Sequence, residues 1–272
     1  MNAGRVGIIG CGNMGGGLAK GLLAKTEPGA FPLYVYSRTS EKVLPLRHMG
    51  ANACGNAPEV AASAEFIILA VKPYQIAAVI REIAPKLTPD HVLISVAAGL
   101  NLAEMRKHAP EHVPVARVMP NTLVTVGRGQ FGLCLDDERL APDQKETLRS
   151  LFGVLGQVLI LPENRINAFA ALAGCGPAYL FQIADAFIEA GVTMGLSRSE
   201  STELIFGLFS GCAVMAEQSG LHPAVLREQV TSPGGQTVAG CNHLDRTAVR
   251  GHIVDAVLAA MRRGMEMEKE NA

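Results

Sequence analysis

Short apolar runs alternate with amphipathic ones over the first hundred or so residues. Arg5–Ile9, Leu33–Tyr36, Phe66–Val71, Val92–Val96 and Val115–Met119 are apolar almost throughout, the pattern of strands buried on both faces. Between them, Met14–Lys25, Ser40–Met49 and Gln75–Ile83 read as helices, with Pro45 an awkward member of the second. Such alternation predicts a parallel sheet covered on both sides. Near Pro162 the pattern changes, with almost no strand pattern beyond it. Arg165–Ala173, Pro177–Met194, Ser199–Ser219, Pro223–Val230 and Ala248–Lys269 all read as helices. Leu204–Ala216 is apolar nearly all round and must be covered on several sides. A helical domain of about a hundred residues has difficulty burying it alone, which favours a helix shared with a second subunit over a central core helix.

One turn carries chemistry. Gly10-Cys11-Gly12-Asn13-Met14-Gly15 fits G-x-G-x-x-G, directly after one predicted strand and at the start of the first predicted helix. In that context the glycines serve the tight turn, the approach of backbone to a pyrophosphate, and close helix–strand packing. The helix start adds unpaired N–H groups and a positive dipole end. The chain is therefore expected to be α/β, with an N-terminal Rossmann-type dinucleotide-binding domain over 1–162 and an all-helical domain over 163–272.

The end of the second strand bears on the choice of cofactor. An Asp or Glu there would bind the ribose hydroxyls of NAD, but this chain has Ser37-Arg38-Thr39. Arg38 can grip a 2′-phosphate through two parallel hydrogen bonds, so NADP(H) is expected in preference to NAD(H), which remains possible. A solvated surface Arg is the alternative. Ligands of open parallel sheets lie beyond the carboxyl ends of the strands. Ala70-Val71-Lys72-Pro73, Ala97-Ala98-Gly99 and Asn121 fall at such ends, and Asn56 joins the expected cofactor set. An ordinary strand-terminating turn is the competing reading for each strand end.

Charge and composition narrow the field. With 24 Lys+Arg against 25 Asp+Glu the net charge is −1, which argues against non-specific nucleic-acid binding. Residues 1–162 carry +3 and residues 163–272 carry −4, a weak hint of anionic ligands in the first part. A chain that is 49% hydrophobic and 18% charged is not disordered. Its six cysteines form no C-x-x-C and read as free thiols of a reducing compartment, with no metal site. The N-terminal run lacks a basic leader, and Leu204–Ala216 is too short to span a bilayer. A soluble, cytoplasmic protein without a membrane partner is expected.

The helical half must supply the substrate site. Reducing a ketone needs a proton donor such as Lys or His. After residue 162 the only lysine is Lys269, close to the end. His222, His243 and His252 remain, each better read as structural or exposed. The densest polar cluster is Thr231-Ser232-Pro233-Gly234-Gly235-Gln236-Thr237, between two helices. It can present hydroxyls and backbone N–H groups to a carboxylate, or serve only as an N-cap and helix-breaking loop. Composition leaves both open.

At these residues the chain resembles the pyrroline-5-carboxylate reductase family. The resemblance runs over essentially the whole length, through Gly10–Gly15, Ala70–Pro73, Met119–Thr122, Gly174–Tyr179, Thr231–Thr237 and Val249–Ala260. It implies a Rossmann domain, a helical domain that interlocks with its twin as a dimer or larger ring, and NAD(P)H reduction of 1-pyrroline-5-carboxylate to L-proline. A cyclic imine can be protonated before hydride arrives, which fits the missing lysine. On this reading Thr237 orients the ring nitrogen as the catalytic hydroxyl. Ser232, Gly234, Gly235 and Gln236 join it in holding the substrate. Ala173 and Cys175 stand where the family usually has serines, and Gln236 replaces a threonine. A related NADP-linked reductase acting on another imine or a carbonyl, or a non-catalytic NADP-binding sensor, are the alternatives.

Overall fold

The computed structural model describes residues 4–25 and 31–271. Its sheet begins with β1 (Val6–Ile9), α1 (Asn13–Lys25) and β2 (Leu33–Tyr36). Then come α2 (Leu44–His48), β3 (Asn52–Ala53), α3 (Ala57–Ser63), β4 (Phe66–Leu69) and α4 (Pro73–Ile83). β5 (Val92–Ser95), α5 (Leu102–His108), β6 (Val115–Pro120), β7 (Gly129–Cys134), α6 (Pro142–Gly153) and β8 (Gly156–Ile160) complete it. The strand order is β3-β2-β1-β4-β5-β6-β7-β8. The order of connection reverses between β1 and β4, so a crevice opens beyond their carboxyl ends.

Strand periodicity fills both faces. Val6 and Ile8 of β1 join Leu18 and Leu22 of α1 in one core cluster. Ile9 faces the other way, into a cluster with Ile76, Ile80 and Ile83 of α4. The i, i+4, i+7 spacing of those three isoleucines is the apolar stripe of a helix on a sheet. Each fully buried aliphatic side chain is worth roughly 1.5–3 kcal/mol.

Two expectations need correction. The sheet is not wholly parallel, because β7 pairs antiparallel with β6, Met119 opposite Gly132. The short 3₁₀ turn Thr122–Val126, closed by Gly127 at φ +66°, turns the chain straight back. An antiparallel neighbour needs no long crossover. Ser40–Met49 is not one helix either. It divides into a 3₁₀ turn, Ser40–Lys42, and α2 with Pro45 in its first turn, where a missing N–H costs nothing.

A polar pin sits in this core. The Asp137 carboxylate accepts the Val115 N–H at 2.9 Å and the Arg139 N–H at 3.1 Å, and Arg106 Nη2 lies 2.9 Å away. Burial pushes its pKa up, but these donors and the Arg106 charge more than offset that and hold it below the usual carboxylate value.

Beyond the sheet come α7 (Ile166–Phe169), a π-helical turn (Ala170–Gly174), α8 (Gly176–Thr193), α9 (Arg198–Ser219), α10 (Pro223–Gln229), α11 (Gln236–Arg246) and α12 (Val249–Glu270). Contacts divide the chain into two compact units. One is Met1–Pro177 with Ala260–Ala272, and the other is Ala178–Ala259.

In the second unit, Ser197 caps α9: its Oγ accepts the Glu200 N–H at 3.2 Å, and Glu200 accepts the Ser197 N–H at 2.8 Å. α8 and α9 close at Gly191, where a Cβ would strike Ser201. The rings of Phe187 and Phe209 meet edge to face at 6.4 Å. Elsewhere α9 leaves large apolar side chains open, Leu204 at 58% and Leu208 at 51% exposure among them. The run Glu163–Thr193, 31 residues with a mean hydropathy of 1.3, is long and apolar enough to cross a membrane by length and composition. Attention to Leu204–Ala216 alone missed it, because helix continues through the glycine-containing segment around Cys175.

Candidate active site

Beyond the carboxyl ends of β1, β2, β4 and β5 lies a cleft of about 1030 Å³. Its floor is the glycine turn. Gly10 has φ +101°, and a Cβ there would meet the Ala70 carbonyl oxygen at 2.7 Å, so only glycine fits. At Gly12 a Cβ would meet nothing within 4 Å, which leaves backbone open to an approaching ligand. Gly15 lies beneath, where any side chain would strike the Gly10 carbonyl. α1 begins at Asn13 and aims its N-terminus at this turn.

The cleft gathers most of the expected cofactor residues: Gly10, Cys11, Gly12, Asn13, Met14, Ser37, Arg38, Ala70, Val71, Lys72, Pro73, Ala97 and Ala98. It adds some that the sequence reading did not single out, including Lys42, Tyr74, Gln75 and Met267. Lys42 lies three residues past Thr39 in a short turn, a signal readable as a second cation beside Arg38. Met267 is 230 residues beyond Ser37 and no local signal points to it. Cys11 lies buried in the turn. Its buried thiol is pushed up to about 11 by desolvation, partly countered by the Lys42 charge, and it donates to the Tyr36 carbonyl at 3.6 Å.

Four expected residues do not line the cleft. Gly15 supports it from below. Asn56 caps α3, its Oδ1 accepting the Glu59 N–H at 2.8 Å. Gly99, at φ +73°, turns the chain after β5. Asn121 is buried and committed to backbone. Its Nδ2 donates to the Ala173 carbonyl at 3.0 Å, and its Oδ1 accepts the N–H groups of Leu123 and Gln130. It thereby ties the β6–β7 turn to the π-helical turn.

In the second unit, Ser232–Thr237 runs into the start of α11. Gly234 has φ +67°, the Gly235 N–H donates to the Ser232 carbonyl at 3.1 Å, and Gly235 stands at the N-cap without a side-chain cap. The first-turn N–H groups of α11 thus point outward with no side chain closing them. Ser232, Gln236 and Thr237 are exposed. A Cβ at Gly235 would press on Ser232 Oγ, so a side chain there would turn that hydroxyl away. Among the described residues no cluster of His, Cys, Asp and Glu could hold a metal ion, and all six cysteines are unpaired.

Residues 163–267 match a family model described as pyrroline-5-carboxylate reductase dimerisation. Residues 5–99 match one described as NADP oxidoreductase coenzyme F420-dependent. A pyrroline-5-carboxylate reductase of Corynebacterium melassecola is 35% identical over 272 residues, 97% of this chain and 98% of the relative. One from Arabidopsis thaliana is 32% identical over 267 residues, 97% and 96% of the two chains. The chain belongs to the pyrroline-5-carboxylate reductase family. The solved pyrroline-5-carboxylate reductase of Coxiella burnetii superposes with a TM-score of 0.90 at 32% identity, over 98% of this chain and 99% of that one. The Plasmodium falciparum pyrroline carboxylate reductase with NADP bound gives 0.87 at 28% identity, over 98% and 99%. Membership makes this reductase an oxidoreductase with a Rossmann-type domain and a self-associating helical region, as its glycine turn and its Ser-Pro-Gly-Gly segment led one to expect.

Proposed function

We propose that this reductase converts 1-pyrroline-5-carboxylate to L-proline with NADPH, in the cytoplasm, as a dimer or larger ring. One observation carries the reading: a single cleft holds the open glycine turn and both Arg38 and Lys42. That donor set fits a phosphorylated dinucleotide. The backbone of Gly10–Met14 would receive the pyrophosphate, and Arg38 with Lys42 the 2′-phosphate. When bound, NADPH supplies the hydride for the C=N carbon.

The remaining work falls to positioning. Thr237, exposed in the first turn of α11, accepts the N–H of the protonated ring nitrogen. Ser232, Gln236 and the backbone N–H groups of Gly234–Thr237 hold the carboxylate, favoured by the helix dipole. The imine takes its proton from solution, so the absence of lysine from residues 163–268 is no handicap. Residues 1–162 act as the NADP-binding domain and 163–272 as the substrate and dimerisation domain, a division supported by the family match over 163–267. The apolar faces of α8 and α9 cover each other in a second copy, not in a bilayer.

The test is NADPH oxidation with 1-pyrroline-5-carboxylate, run in parallel with NADH, with the six-membered homologue and with a 2-ketoacid. Fast turnover with the five-membered imine and NADPH is expected. Preference for the ketoacid, or no turnover with any of them, overturns the reading.

A further inference from the structure

One charge is wholly buried in the sheet unit. Arg117 of β6 has no exposed surface. Its Nη1 lies 2.7 Å from Glu268 Oε1 and 3.6 Å from Glu163 Oε1. A guanidinium taken wholly out of water is costly unless it is paired, and these two carboxylates supply the opposite charge that offsets the cost. Glu268 stands in the last turns of α12, a part of the chain that belongs to the sheet unit.

A second fastening lies three residues on. Asn271 Nδ2 donates to the Gly99 carbonyl at 2.9 Å, in the turn after β5. That turn packs closely on the helix end. A Cβ at Gly99 would lie 3.1 Å from Met267 Cβ, in a backbone conformation that only glycine adopts readily. Met267, one residue before Glu268, lines the same cleft as Ala97 and Ala98. Arg38, just past the end of β2, lines the other side of that cleft, with β1 and β4 standing between β2 and β5.

We propose that Met267 forms the wall against which the nicotinamide–ribose half of the cofactor is seated. Arg117, Glu268 and Asn271 act as positioning residues that hold it there. The inference rests on the reading of the cleft as an NADPH site. A long apolar side chain fills the space beside a flat ring, and the paired helix end fixes where its backbone stands.

The test compares two ligands by equilibrium titration on the full-length protein: NADPH, and 2′,5′-ADP, which carries only the adenosine half. Met267→Ala should raise the Kd for NADPH about fivefold or more and leave 2′,5′-ADP within about twofold. Met267→Leu should restore NADPH binding, and Glu268→Ala should reproduce the split. Unchanged NADPH affinity in Met267→Ala overturns the proposal. So does an equal loss for both ligands, which would mean general loosening. Failure of the unaltered protein to bind NADPH would instead strike the proposed function.

Discussion

The two units bury their apolar residues to very different degrees. In the sheet unit, every residue of β1, β4, β5 and β6 is buried. In the helical unit, α9 has 22 residues and buries one of them, Ser201. Both have strongly apolar segments, so composition does not separate them. A sheet with helices on both faces closes its own core, whereas helices of this length, apolar on several sides, do not. The difference teaches that the first unit carries its binding cleft within one chain. The second is built to be completed by another copy.

The sharpest way to break that contrast is to charge the open face. Leu204→Glu with Leu208→Glu should raise the dimer dissociation constant at least about a hundredfold, because each buried Leu contributes about 1.5–3 kcal/mol. Sedimentation should show monomer, and imine reduction should collapse while NADPH titration stays near normal. Intact assembly in that variant would mean the face serves something else.

Next in size is Thr237→Ala. Losing one hydrogen bond to a charged group, about 1.5–3 kcal/mol, together with misalignment should lower kcat/KM by about tenfold to a thousandfold. The KM for NADPH should barely move, because the role proposed for Thr237 is toward the substrate and not the cofactor. Full activity would remove its assigned role.

Arg38→Ala probes the sheet unit alone. The KM for NADPH should rise by about tenfold to a hundredfold, with little change for NADH, since only one of them carries the phosphate. Equal effects on both would refute the 2′-phosphate assignment.

The smallest effect concerns the pin in the core. Asp137→Asn should cost about 1–3 kcal/mol in urea unfolding at neutral pH. The sign of the pH dependence follows from the lowered pKa. The contribution of Asp137 is fully present above its unfolded pKa of about 4 and fades as pH falls through the lower folded value. The gap between the two proteins should therefore narrow in acid. A constant gap would mean that shape, not charge, is what Asp137 supplies.

The glycine turn and Arg38 were legible because their chemistry is local. A strand, three spaced glycines and a helix start lie within ten residues and need no distant partner to be read. The parallel strands of the first half were legible through unbroken apolar runs. β7 and β8 were not, because Gly129, Gln130, Gly156 and Gln157 interrupt the pattern, and the antiparallel return depends on one tight turn at Gly127. Asn121 shows the opposite limit. Its place at a strand end suggested a cofactor contact, yet its amide is consumed by the Ala173 carbonyl 52 residues away.

By itself, then, the sequence determined the dinucleotide turn, the cation in place of a carboxylate after β2, the helical second half and the family. All of these rest on neighbours along the chain or on recurring motifs. Only the tertiary structure decided that the end of α12 returns to the sheet, that Arg117 is buried beside Glu268, and that Met267 faces the cleft. Those contacts join residues more than a hundred positions apart, and burial of a charge is a property of its surroundings that no stretch of chain carries alone.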